Sequence, residues 1–298
     1  MAEVLTDPNH GPREGRAKAA FLAATIYPEI PGKDTPMIRA TPSVSCPPWA
    51  CTALQEDVCG IYVDRDFGGI IQRFRFIPTG IFFYGDPGPN IPQGAIVSGG
   101  GDRYAKRSRE LIRSPFWLAD TPVTQALWER MGNENHSQWK NPNHPISNVS
   151  FQGATKFAEE LGCCLPNECM WEYAAYGADR PEEWYADEKM VLENFAWTDA
   201  NSGGSIRPVR RRWSNPCGLF DMLGNVAEWC RPYRRADYCS GRLEESLNFV
   251  LRGGCFGWSS ANLRPWARWT VVTREASSTG EAASFSGFRL CCRHVEWE

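Results

Sequence analysis

Residues Asn215–Cys230, NPCGLFDMLGNVAEWC, constrain the fold more than any other stretch of the chain. Pro216, Gly218, Gly224 and Asn225 supply turn chemistry and rule out a regular helix. Leu219, Phe220, Met222, Leu223, Val226 and Trp229 are too apolar for a solvated loop. A stretch with both characters is a buried, irregular connection. Its backbone N–H and C=O groups need partners. Asp221, Asn225 and Glu228 are the side chains that can provide them, or that can hold a hard cation.

At 298 residues the chain suits one large domain or two small ones. A domain of that length buries about three quarters of its unfolded surface, so disulfides are not needed for a core. The net charge of −3 argues against nucleic acid as a partner. No apolar run approaches the ~20 residues of a membrane span. The start, MAEVLTDPNHGPREG, has no apolar region of a secretory signal. The chain therefore reads as cytoplasmic as synthesised, reaching a virion or cell surface only by another route. The twelve cysteines include the adjacent pairs Cys163–Cys164 and Cys291–Cys292, and no paired CxxC motifs occur. With no export signal, free and buried thiols are expected.

Residues 1–59 read as a leader, a short helix over Arg16–Ile26 and a proline-rich arm over Tyr27–Ala53. A domain over 60–298 follows. Gly60–Asp64, Gln72–Ile77 and Gly80–Tyr84 alternate like strands, and 85–113 reads as a loop. Pro115–Ala119 reads as a short strand. Thr121 is expected to cap a helix with a Val123, Leu127, Met131 stripe. Ser150 caps a second helix that ends at Gly162, and Asn167 caps a third. Arg207–Arg212, with four arginines in it, reads as a solvated face. His136 and His144 lie eight residues apart in a loop, which gives no metal-ligand geometry.

GLFDMLGNVAEWC resembles the GLYDM-GNVWEW signature of the formylglycine-generating enzyme/sulfatase-modifying-factor family. Three further segments match in order: FRFIPTGIFFYG from Phe74, CLPNECMWEYAAYGAD from Cys164, and LRGGCF from Leu251 followed by SGFRLCC from Ser286. The resemblance covers roughly 60–298. It implies an α+β chain with a C-type-lectin-like fold of the formylglycine-generating-enzyme type, with mixed irregular structure, small antiparallel sheets and a few helices.

Formylglycine-generating enzymes need two copper-binding cysteines shortly after RGGS. Aligned from the glycine pair, those positions are Trp258 and Leu263, and neither side chain is a copper ligand. Cys255 stands alone at the serine position. A related iron branch needs an HxxxExH site, which the four histidines do not form. No GxSxG, P-loop or HExxH occurs. The expectation is a protein that is not an enzyme and requires no cofactor. A structural calcium is implied by the resemblance at Asn225 and Glu228; hydrogen bonding to buried backbone is the equal alternative.

The segment about 252–289 most resembles the variable region in variable proteins of diversity-generating retroelements. Adenine-directed mutation in such proteins replaces Asn-type codons, and this segment is rich in Ser, Ala, Thr, Gly and Val with one asparagine. The implied function is non-catalytic binding of a protein or other surface-exposed ligand. An enzyme of altered chemistry and a structural domain of a larger assembly are the alternatives. The expected binding residues are Phe256, Trp258, Ser259, Ser260, Asn262, Arg264, Trp266, Arg268, Trp269, Thr273 and Arg274. Large aromatics among small polar residues make such faces. Arg252 and Arg289 are expected to tie the ends of the segment to the scaffold.

Overall fold

A computed structural model describes residues 44–85, 108–178, 189–231, 248–272 and 284–293. The leader, the helix over Arg16–Ile26 and most of the arm lie outside the described residues, as do Thr273 and Arg274. The end of the arm packs inward. The Trp49 ring meets Phe74 edge-on at 5.1 Å and Trp117 at 6.1 Å.

The first hairpin follows from alternation and a glycine turn. Strands β1 (Gln55–Asp57), β2 (Gly60–Asp66) and β3 (Ile71–Ile77) pair antiparallel in succession. Gly68 and Gly69, at φ +67° and +96°, turn the chain between β2 and β3. Pro78 then interrupts the ladder. Gly80–Tyr84 (β4) consequently leaves this sheet and pairs with β5, Ser108–Ile112, in a separate ribbon. A loop was expected at β5, whose charged residues disguise its alternation. Glu110 and Ile112 are its buried positions, and Arg109 and Leu111 face outward.

Strand β6, Phe116–Ala119, lies between β3 and β11, Cys291–Arg293, completing a sheet of order β1-β2-β3-β6-β11. All four β6 side chains are buried. Their alternation separates two cores. Phe116 and Leu118 join Phe82, Trp171, Tyr173, Met222 and Leu263. Trp117 and Ala119 join Phe74, Leu127, Phe157, Trp229 and Phe288.

Helix α1 spans Gln125–Arg130 and is capped by Thr124, not Thr121; the Thr124 hydroxyl accepts from the Leu127 N–H at 3.3 Å. The chain stays extended at Val123 because Val123 N–H donates to Phe288 O and its carbonyl accepts from Ile146 N–H. Met131 stands at the exposed end of the expected stripe. Helix α2, Phe151–Glu160, begins at Ser150, whose hydroxyl accepts from Gly153 N–H at 3.0 Å. Helix α3, Glu168–Ala175, begins at Asn167, whose side chain accepts from Met170 N–H at 2.8 Å. Helix α4 spans Lys189–Phe195.

The irregular stretch behaves as its composition requires. Asp221 and Asn225 adopt φ of +54° and +57°. A Cβ on Gly224 would fall 2.1 Å from the Trp197 carbonyl oxygen, so only glycine fits there. The stretch runs into β7, Ala227–Cys230. Strand β7 lies between β10 (Ser286–Gly287, parallel) and β8 (Asn248–Arg252, antiparallel), and β9 (Arg268–Val272) closes a sheet of order β10-β7-β8-β9.

Candidate ligand-binding face

The segment between Arg252 and Arg289 starts and ends on buried cations. Arg252 closes β8 and is 1 % exposed. It donates to Glu168 Oε1 at 3.1 Å and to Glu172, and its guanidinium lies over the Trp171 ring. It also donates to two carbonyls of the following loop, Pro265 O at 2.8 Å and Trp266 O at 3.2 Å. Arg289 is fully buried and forms a two-pronged pair with Glu228, with both N–O distances 2.7 Å. Its remaining donors reach Ala119 O and Phe220 O. Charge-assisted pairs of this kind are the strong ones.

Glu168 and Glu172 carry the Arg252 anchor, and neither was singled out from the sequence. They stand four apart on α3, a spacing that puts them on one helix face. The signal was present in NECMWEY: two glutamates at helical spacing among residues that must be buried. Burial pushes the Glu172 carboxyl up from 4.5 to about 7, against the pull of Arg252. One buried cation serves two carboxylates, and Arg268 adds a second contact to Glu168 at 2.7 Å. Burial likewise raises Asp221 from 3.8 to about 6.

A carboxyl held above its unfolded value favours the folded state while protonated. That contribution is complete below the unfolded value and is lost as pH rises through the folded one. The contribution of these two groups is expected to fall between about pH 4 and about pH 7. Thermal melts across that range should show a shallower slope in Glu172→Gln. An identical slope would remove Glu172 as its source.

The loop itself is held by its backbone. Phe256 N–H donates to Asn225 O at 3.0 Å, and Phe256 O accepts from the Ser202 hydroxyl at 3.0 Å. Asp199 N–H donates to Trp258 O at 3.1 Å, and Gly224 N–H to Gly253 O at 2.9 Å. Arg264 turns back to the carbonyls of Ser260 and Leu263.

The expected binding residues divide by depth. Ser259, Asn262 and Arg264 are half-buried on the loop, and Gly257 and Ala261 are exposed beside them. Phe256 meets Trp139 edge-on at 4.9 Å, and Trp266 stacks on Tyr176 at 6.4 Å. Trp258 and Trp266 are half-buried, each with one side against the first core. Ser260 is 4 % exposed, because the 3-10 turn Ser260–Asn262 directs it inward. Arg268 is committed to Glu168. Trp269 lies in β9, with its side chain outside the described residues. The arginine run is not simply a solvated face. Arg210 pairs with buried Asp120 at 2.6 and 2.7 Å, and Arg212 covers the Trp197 ring at 3.9 Å.

The two positions aligned with copper cysteines come together over Gly254. A Cβ there would lie 2.4 Å from Leu263 Cδ2 and 2.7 Å from Trp258 Cε3. An indole and an isobutyl group offer copper no ligand. Burial pushes the nearby Cys255 thiol up to about 11, so it stays protonated.

Calcium does not fit Asn225 and Glu228. Both Glu228 oxygens accept from Arg289, and one also accepts from Trp171 Nε1 at 2.8 Å. Asn225 accepts from Arg207 N–H and donates to Arg207 O and Asp221. A cation would have to displace Arg289. The backbone-bonding alternative accounts for Asn225, and an ion pair accounts for Glu228.

The architecture is a C-type-lectin-like α+β fold of the formylglycine-generating-enzyme type. Residues 76–294 match the sulfatase-modifying factor enzyme 1-like domain, and the chain belongs to that family. It is 31 % identical over 163 residues to serine/threonine-protein kinase pkn1 of Chlamydia pneumoniae, covering 51 % of this chain and 24 % of the kinase. It is 27 % identical over 198 residues to the formylglycine-generating enzyme of Thermomonospora curvata, covering 59 % and 63 %. The chain thus spans about a quarter of the kinase and under two thirds of the enzyme. Among solved structures, Treponema denticola variable protein 1 superposes with a TM-score of 0.60 at 22 % identity, covering 77 % of this chain and 98 % of that one. PvdO from Pseudomonas aeruginosa gives 0.58 at 17 % identity, covering 74 % and 94 %.

Proposed function

We propose that the protein is a non-catalytic ligand-binding protein whose segment 252–289 is diversified by a retroelement. It would display that segment to a protein or other surface-exposed ligand. The observation that carries this reading is how the loop is held. Its carbonyls at Phe256, Trp258, Pro265 and Trp266 are bound by Ser202, Asp199 and Arg252. These bonds use loop backbone, so the loop's side chains can change while its anchors remain. The fold shared with a protein named as a variable protein supports the same reading.

The gene's surroundings test the retroelement half. A near-copy of the 3′ coding end beside a reverse-transcriptase gene is expected, and its absence would remove that half. The similarity to formylglycine-generating enzymes favours enzymatic activity as the second reading. Incubation with copper, oxygen and a CxPxR peptide is expected to give no formylglycine above a control without protein. Product above that control would overturn the non-catalytic half.

A further inference from the structure

The doublets Cys163–Cys164 and Cys291–Cys292 form a cluster of nucleophilic side chains that display does not use. They meet as two successive rungs of an antiparallel bridge. Cys164 and Cys291 exchange both backbone hydrogen bonds, each 2.8 Å. A pair bonded in that way has its Cα atoms about 5.5 Å apart, the separation that disulfides favour. On the next rung the sulfurs of Cys163 and Cys292 are 2.9 Å apart. Alternation places the rungs in different cores: Cys164 and Cys291 with Leu118 and Trp171, Cys163 and Cys292 with Trp117 and Phe157.

The first rung is asymmetric. Cys164 is half-buried, whereas Cys291 is fully buried. A hydrogen bond from Cys291, with help from Arg231 and Arg293 against the effect of burial, lowers the Cys164 thiol to about 6. Arg231 Nη2 lies 3.8 Å from its sulfur. The same contact and burial hold the Cys291 thiol well above its ordinary value. A thiolate near solvent beside a buried, protonated thiol is the arrangement of an attacking and a resolving cysteine.

We propose that the two doublets form a dithiol clasp, oxidised one disulfide per rung by exchange with a small-molecule or protein disulfide, with Cys164 as the attacking thiol of the first rung. The Cys164 thiolate attacks one sulfur of the external disulfide, whose S–S bond breaks and releases one thiolate, which takes up a proton. Cys291 loses its proton and attacks the Cys164 sulfur of the mixed disulfide, expelling the second external thiol. Two protein thiols are oxidised and one external disulfide is reduced to two thiols. A second external disulfide oxidises Cys163 and Cys292 by the same two bond exchanges, with Cys163, the less deeply buried of the two, attacking and Cys292 resolving, and a dithiol reductant reverses both rungs. Closure joins the α2–α3 connection to β11, two residues after the Arg289 anchor.

The full chain, reduced and freed of reductant, would be equilibrated in glutathione buffers of rising oxidised fraction, alkylated in denaturant and mapped by peptide mass spectrometry. Cross-links joining the two doublets are expected, while Cys169, Cys230 and Cys255 stay alkylated. The double variant C163S/C292S should retain a Cys164–Cys291 cross-link, and C164S/C291S a Cys163–Cys292 cross-link. In C291S one glutathione should remain on Cys164. Four thiols still alkylated after both the glutathione buffers and a protein disulfide, or bridges formed within each doublet, would overturn the clasp. A protein disulfide that closes the clasp when glutathione does not would assign the oxidant to a protein and leave the pairing supported.

Discussion

Arg289→Met is expected to lower folding stability by about 3–5 kcal/mol, the cost of leaving a buried carboxylate without its cation. Arg289 is fully buried, and both oxygens of Glu228 depend on it. Methionine keeps much of the stem volume but none of the donors. Glu228 would retain Trp171 Nε1, while Ala119 O and Phe220 O would each lose the guanidinium bond. Adding Glu228→Gln should recover part of the loss, because removing both charges removes the uncompensated one. Urea unfolding of the single and double variants measures this, with the midpoint moving and the slope preserved. A single-variant loss below about 1 kcal/mol would show that the pair is not an anchor.

Trp229→Ala should cost about 3–5 kcal/mol, the range for a large aromatic removed from a core. Trp229 is 2 % exposed, and its indole N–H donates to Val149 O at 2.7 Å. Phe151 and Phe249 meet its ring edge-on at 5.9 and 6.4 Å. Trp258→Ala should cost less, about 1–2 kcal/mol, because its side chain is half-buried against Gly254 and the first core. Asn262→Ala should stay within about 0.5 kcal/mol, because its half-buried side chain gives up little packing and its Oδ1 makes no hydrogen bond among the described residues. The thermal melts of these three variants should fall in that order. Equal losses at Trp229 and Trp258 would make Trp258 a core residue and weaken its part in display.

Local chemistry was legible wherever the side chain and its partner are close in sequence. Ser150 and Asn167 reach N–H groups three residues ahead, so their caps are visible in the chain. The β2–β3 hairpin and the paired roles of Arg252 and Arg289 were also legible. Partners far apart were not. Glu228 looks equally suited to a cation until Arg289, 61 residues away, is brought beside it. The burial of Glu168 and Glu172 has a trace in NECMWEY, but their cation, Arg252, lies 80 and more residues on. Thr121 and Thr124 are both able to cap. The long-range bonds that hold Val123 extended decide between them. The half-burial of Trp258 was not legible, because its Gly- and Ser-rich neighbours do not show that Leu263 lies beneath the same glycine.

Strands β8 and β10 flank the same strand, β7. Strands β8 and β10 are about 9–10 Å apart, two strand spacings, and between them in sequence β9 adds itself to the far side of β8. Whatever length of polypeptide joins those points, its two sockets are cut into one piece of the molecule. A change of length within 253–267 would break the carbonyl bonds to Ser202, Asp199 and Arg252, whereas a change of side chain leaves them in place, making this stretch a cassette open to change in sequence at fixed size.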